Sequence, residues 1–210
     1  NNNFGGVTRE LSIRNSIVDG NSFIVNYDAV NINSGSKEHT FSNNRLFVLS
    51  SSSNVSVSNS FEGSVRNNTI IGNNLSGSAI EVKGNASPTI ENNAITGFQY
   101  SLLLNSAPAQ VSYNNFEALS AILDPNSTAS IPQLGTLSTT NHQGSTSDIY
   151  FNIAEDPTFA DTLNFTFKSD SVIQAELRAG TLTTLFDDSY DYSPSVGSPL
   201  IDAGSNEYKD

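Results

Sequence analysis

The chain has 210 residues, of which 14% are charged, and its 21 Asp and Glu outnumber 9 Lys and Arg to leave a formal charge of −12. That balance repels phosphate backbones and no clustered basic patch offsets it, so nucleic acid is not an expected partner. The absence of Cys excludes a disulfide scaffold and a thiolate metal site, and no apolar run approaches the roughly 20 residues that span a bilayer.

Asn and Ser dominate the polar residues, a composition that suits turns and stacked loops, so helix is expected to be scarce. The chain begins at Asn1 without Met, as follows from removal of a leader or from excision out of something longer. Asn2-Asn3-Phe4-Gly5-Gly6 has the Asn-x-apolar-x-Gly shape of Asn93-Ala94-Ile95-Thr96-Gly97, so a start inside a repeat is expected. Further on, a loose unit Ile13-Arg14-Asn15-Ser16-Ile17 is followed by four closer copies of apolar-x-Asn-Asn-x-apolar, with one departure in the last. These occupy residues 41–46 around Asn44, 65–70 around Asn68, 90–95 around Asn93 and 111–116 around Asn114, where Tyr113 replaces the first Asn. From Asn15 onward the anchors lie 29, 24, 25 and 21 residues apart, and a period in the twenties marks a solenoid.

A short strand-like segment precedes each close copy: Val30-Asn31-Ile32, Val55-Ser56-Val57 and Ile80-Glu81-Val82, which alternate apolar and polar, and then the wholly apolar Leu102-Leu103-Leu104. Each coil therefore supplies about three short strands whose inward side chains are Ile, Val, Leu and Phe. One coil cannot bury that set alone. Stacking coils about 4.8 Å apart pairs each strand in parallel with its equivalents and builds a continuous core. Corners need residues that tolerate the left-handed region, which Asn does, and its amide can reach the equivalent Asn one coil away. The expected structural ladder is Asn44, Asn68, Asn93 and Asn114, with Gly72, Gly84 and Gly97 relieving tight bends. Polar columns such as Asn31, Ser56, Glu81 and Asn33, Ser58, Lys83, Asn105 are expected to face outward.

Residues 119–149 change character, with Asp124-Pro125-Asn126, Ile131-Pro132 and a Ser/Thr/Gly-rich passage that reads as loops or an irregular coil. Residues 171–180 have the start, apolar spacing and Gly stop of a short helix, one reading of which is a cap on the end of the core. The fold class is thus all-β, a parallel β-helix of about five to seven coils, whose right-handed sense is what the resemblance given next implies. Its regular coils occupy residues 1–118, and its irregular terminal coils, loops and closing tail occupy residues 119–210.

The repeat resembles that of right-handed parallel β-helix proteins of the pectate-lyase-like superfamily. The tail is similar to the closing segment of many secreted bacterial β-helix proteins, in which a D-P-x-F strand entry (Asp156-Pro157-Thr158-Phe159) precedes S-P-x-I-D-A-G (Ser198-Pro199-Leu200-Ile201-Asp202-Ala203-Gly204). The resemblance implies a secreted, extracellular or cell-surface location. It also implies two classes of function, a non-catalytic structural or adhesive module and a polysaccharide lyase or glycoside hydrolase, whole or in part.

A uronate lyase needs a base and a cation that neutralises the substrate carboxylate, for which Lys83 and Arg66 are the nearest candidates, but the repeat places them on different faces. Arg66 falls instead in a column with Ser42, Glu91 and Ser112, where a solvated pair with Glu91 is expected. A hydrolase would present paired Asp with a nearby His, whereas His39 and His142 stand alone and no Gly-x-Ser-x-Gly elbow occurs. The densest acidic cluster is Asp187, Asp188, Tyr190, Asp191 and Tyr192. Its carboxylates suit Ca²⁺ and its rings a sugar face, and a hydrated acidic loop is the plainer alternative. The leading expectation is a module without a cofactor, Ca²⁺ apart, whose partners are a glycan or other copies of itself joined end to end at exposed coil edges.

Overall fold

A computed structural model describes residues 3–4, 11–25, 30–50, 54–141, 143–159, 170–181 and 194–200. The chain winds as a parallel β-solenoid whose coils present three faces. The lowest coil carries β1 (Asn3–Phe4), β2 (Leu11–Ile13) and β3 (Ile17–Asp19), and the next carries β4 (Ser22–Val25), β5 (Val30–Gly35) and β6 (Thr40–Ser42). Above them come β7 (Arg45–Val48), β8 (Val55–Phe61) and β9 (Ser64–Arg66). In the later coils the first two strands merge into one, giving β10 (Thr69–Val82) with β11 (Thr89–Glu91), then β12 (Ala94–Leu104) with β13 (Gln110–Ser112), then β14 (Asn115–Leu123).

Every pairing among β1–β14 is parallel and joins a strand to its equivalent one coil away. The third face is a separate five-stranded sheet ordered β13-β11-β9-β6-β3. The first and second faces form one sheet because β10, β12 and β14 run round the bend between them. The register there breaks between Ile71 and Leu75 and between Ile95 and Phe98.

The register explains the core. Phe23, Leu46, Ile70, Ile95 and Phe116 stack on the first face, Val30, Val55, Ile80 and Leu102 on the second, and Phe41, Val65, Ile90 and Val111 on the third; all are buried. They belong to one cluster running from Phe23 to Phe116, within which the Phe23 and Phe41 rings stack at 5.9 Å. Each such side chain contributes about 1.5–3 kcal/mol by leaving water, more than three isolated short strands could gain without neighbours above and below.

Outward positions are less open than alternation alone implies. Ser56 is fully buried, Asn33 and Ser58 are buried, and Phe47 and Ile71, which alternate away from the core of the first face, are buried too. The columns Asn31–Ser56–Glu81 and Asn33–Ser58 do exist in register. Asn33 donates to Ser12 Oγ, and its Oδ1 accepts from Ser58 Oγ and Asn59 Nδ2.

After β14 the chain leaves the regular path. Ala129, Ile131 and Leu134 pack on the core cluster, and Thr128 and Ala129 donate their N–H groups to the Leu104 carbonyl, so residues 124–135 cover the C-terminal end of the stack. A small antiparallel pair, β15 (Thr139–Thr140) and β16 (Thr146–Ser147), then leads back to the solenoid. Ile153 bridges Asn115 in parallel there. The helix α1 spans Asp170–Ala179 and closes in a Schellman turn, with Gly180 N–H on Leu177 O (3.2 Å) and Thr181 N–H on Glu176 O (2.9 Å). Among its described side chains Val172 and Leu177 are exposed, and the cover of the core end comes from the preceding loops. No helix among the described residues is long and apolar enough to cross a membrane.

Candidate functional site

The corner between the third and first faces divides its work between two neighbouring residues. The left-handed position is held in successive coils by Gly20, Asn43, Asn67, Asn92, Tyr113 and Phe151, with φ of 67°, 54°, 55°, 54°, 56° and 63°. The residue after each supplies the amide. Asn21, Asn44, Asn68, Asn93 and Asn114 each donate both backbone N–H and Nδ2 to the Oδ1 of the next member, at 2.9–3.2 Å, and the last acceptor is Asn152. From Asn44 onward each Nδ2 also reaches back to a carbonyl of the coil before: Val18, Phe41, Val65, Ile90 and Val111. The steps from Asn21 to Asn114 are 23, 24, 25 and 21 residues, about four turns, and the step to Asn152 is 38.

Two positions differ from the sequence reading. Asn15 (φ 46°) lies at the opposite corner, its N–H on Ser34 O, and Asn21 is the member below Asn44. Beyond Asn152 the acceptor is a carboxylate. Asp148, fully buried, takes Asn152 N–H at 3.0 Å and Asn152 Nδ2 at 3.1–3.3 Å, together with Tyr150 N–H and Gly135 N–H at 2.9 Å. An anion thus meets the donor end of a column of aligned amides, as at a helix N-terminus.

The third face is where side chains remain available. Its outer positions form two columns, Thr40–Ser64–Thr89–Gln110 and Asp19–Ser42–Arg66–Glu91–Ser112. The second is knit together: Ser42 Oγ donates to Asp19 Oδ1, and Ser112 Oγ to Glu91 Oε1. Glu91 is buried, so its environment is not the solvated one that alternation predicted. The first column opens on a cleft of about 720 Å³ lined by Lys37, Glu38, Thr40, Glu62, Gly63, Ser64, Arg66, Ser87, Thr89 and Ala109. Between the lining residues Glu38 and Thr40, the His39 carbonyl accepts Ser64 N–H, and His39 Nδ1 lies 3.1 Å from Ser36 Oγ. Gly63 packs against that carbonyl so closely that a Cβ would lie 2.1 Å from the oxygen, which keeps the cleft floor at backbone level. No protein-family model matches the sequence, and neither a curated protein nor a solved structure does.

Lys83 and Arg66 stand on different faces, and Lys83 is engaged with Glu81 at 3.0 Å. Asp187, Asp188, Tyr190, Asp191 and Tyr192 lie outside the described residues, as do His142 and Asp202. Among the described residues no three His, Asp or Glu gather in a way that could hold a metal ion. The two halves of the tail do meet: Ser198 Oγ donates to Pro157 O, and Ser195 N–H to Thr158 O at 2.9 Å. Chemically, the cleft offers hydroxyls, two carboxylates and two cations on a rigid, concave floor. That set can exchange many hydrogen bonds with a polyhydroxylated ligand.

Proposed function

We propose that this chain is an extracellular, non-catalytic module related to the secreted pectate-lyase-like β-helices, serving a structural or adhesive role by presenting its third face to a glycan. The observation that carries the proposal is the cleft, where Thr40, Ser64, Ser87 and Thr89 line a concave wall beside Lys37 and Arg66. The floor is strand, held in register from coil to coil, so the hydroxyls are ordered before a ligand arrives and little conformational entropy is lost on binding.

A glycan array followed by calorimetry tests this. Binding without turnover is expected, and the double substitution Thr40→Val with Thr89→Val should weaken it roughly tenfold by removing two hydroxyl partners while keeping β-branched residues in the strands. An array without hits would sink the proposal. Release of unsaturated product at 235 nm from uronate polymers with Ca²⁺ would replace it with the lyase reading, and fibres in electron micrographs would move the weight to self-assembly.

A further inference from the structure

The left-handed corner column changes chemistry at its C-terminal end. Gly and Asn occupy the first four positions, as expected where Cβ crowds the carbonyl, but the last two hold Tyr113 and Phe151, bulky residues for which positive φ is an outlier. Nothing in the corner hydrogen bonding calls for a ring, since Asn43, Asn67 and Asn92 serve the same backbone geometry. The two rings stack with centroids 5.4 Å apart and planes 14° from parallel, and Phe151 is 39% exposed. Beside them, across a face about 7 Å wide between the outer residues of β13, Gln110 is exposed and donates through Nε2 to Ser112 Oγ. The cleft lies at the opposite margin of the same face, at Thr89 and Ala109.

We infer that Tyr113 and Phe151 form an aromatic subsite for a neutral saccharide, on which the apolar face of a pyranose ring stacks while its hydroxyls turn to Gln110 and the polar face beyond. An aromatic pair held in a costly backbone conformation at the surface serves contact with something outside the fold. The chain's charge of −12 favours a neutral sugar over an acidic one. This subsite rests on the glycan-presenting reading and extends it across the width of the third face.

The substitution that tests it is supplied by the fold: Tyr113→Asn with Phe151→Asn installs the residue that three other coils already use. Relief of two left-handed aromatic residues exceeds the loss of one ring pair, so the melting temperature should equal or pass that of the wild type. Saturation-transfer NMR with neutral hexasaccharides of glucose, N-acetylglucosamine, mannose and xylose should carry magnetisation from the aromatic protons to sugar ring C–H groups. The transfer to sugar ring C–H groups should fall sharply in the Asn variant, with affinity down roughly tenfold, survive in Tyr113→Phe, and persist in the Thr40→Val/Thr89→Val variant. Wild-type binding unchanged in the Asn variant would overturn the subsite and leave the glycan reading standing. So would binding of acidic glycans alone, whereas no binding of either class removes both. If the Asn variant instead alters sedimentation, the rings are a contact between copies and the saccharide assignment fails. An Asn variant with a clearly lowered melting temperature would make the stack structural and overturn the inference as well.

Discussion

Asn93→Ala is the sharpest test of what holds the coils in register. The side chain accepts Asn68 N–H and Asn68 Nδ2 at 3.0 Å each, and its own Nδ2 donates to Val65 O at 2.9 Å and Asn114 Oδ1 at 3.0 Å. Removing it strands the Asn68 N–H, a buried donor whose partner is gone, at about 1–3 kcal/mol; the other three contacts leave groups that keep a second partner or a free lone pair, at about 0.5–1 kcal/mol each. The sum is about 4 kcal/mol. The control is Asn67→Ala, one residue from the neighbouring ladder member Asn68, where only the left-handed preference at φ 55° is lost, about 1 kcal/mol. Equilibrium urea unfolding followed by far-UV circular dichroism reads both. Equal losses for the two variants, or an Asn93→Ala cost below about 1.5 kcal/mol, would refute the claim that the buried amides and not the corner conformation carry the stability.

Three further outcomes follow from the same geometry. Asp148→Asn turns an amide donor toward either Gly135 N–H or the Asn152 donors and should cost about 2 kcal/mol, with faster hydrogen exchange at Tyr113 and Phe116, whose N–H groups bond Tyr150 O and Ile153 O. Gly97→Ala places a Cβ 2.1 Å from Gly72 O at φ 76° and should destabilise by about 3 kcal/mol in urea titration; a wild-type midpoint would mean the bend yields easily. Ser101→Ala removes a fully buried hydroxyl without a partner, so the unfolding free energy should hold or rise by up to about 1 kcal/mol, and a clear loss would reveal a bond at Ser101 Oγ.

The architecture was legible because the repeat is carried by side chains that bury or bond identically in each coil. Val65, Ile90 and Val111 recur beside Asn68, Asn93 and Asn114 for reasons that act within twenty-five residues, and a short-range pattern exposes them. Asn21 is not legible from the motif because Gly20 replaces the first Asn of its pair, while Asn15 offers the right letters at the wrong corner. The spacing of 23 from Asn21 to Asn44, against 29 from Asn15, was the available signal. Asn152 was hidden by the 38-residue excursion and by Phe151 in the position where Asn is usual. The cleft was illegible altogether: Lys37, Glu62, Ser87 and Ala109 come from four separate connections, and only the stacking distance brings them to one margin. The burial of Ser56 and Glu91 is not legible from alternation, which tells which way a side chain leaves the strand but not what lies over it.

The ladder also has a direction. Each coil between Asn21 and Asn114 offers donors to the coil above and an acceptor to the coil below, so no coil can be turned over, and any coil can follow any other. The number of coils is therefore not set by the ladder, which would accept a further coil of about two dozen residues spliced in the same sense between any two members. What sets the length is the punctuation: a carboxylate at Asp148 that receives donors and passes none on. In that respect the solenoid behaves as a ruler with a stop at one end, and lengthening it by insertion moves the aromatic corner and its face outward one increment at a time.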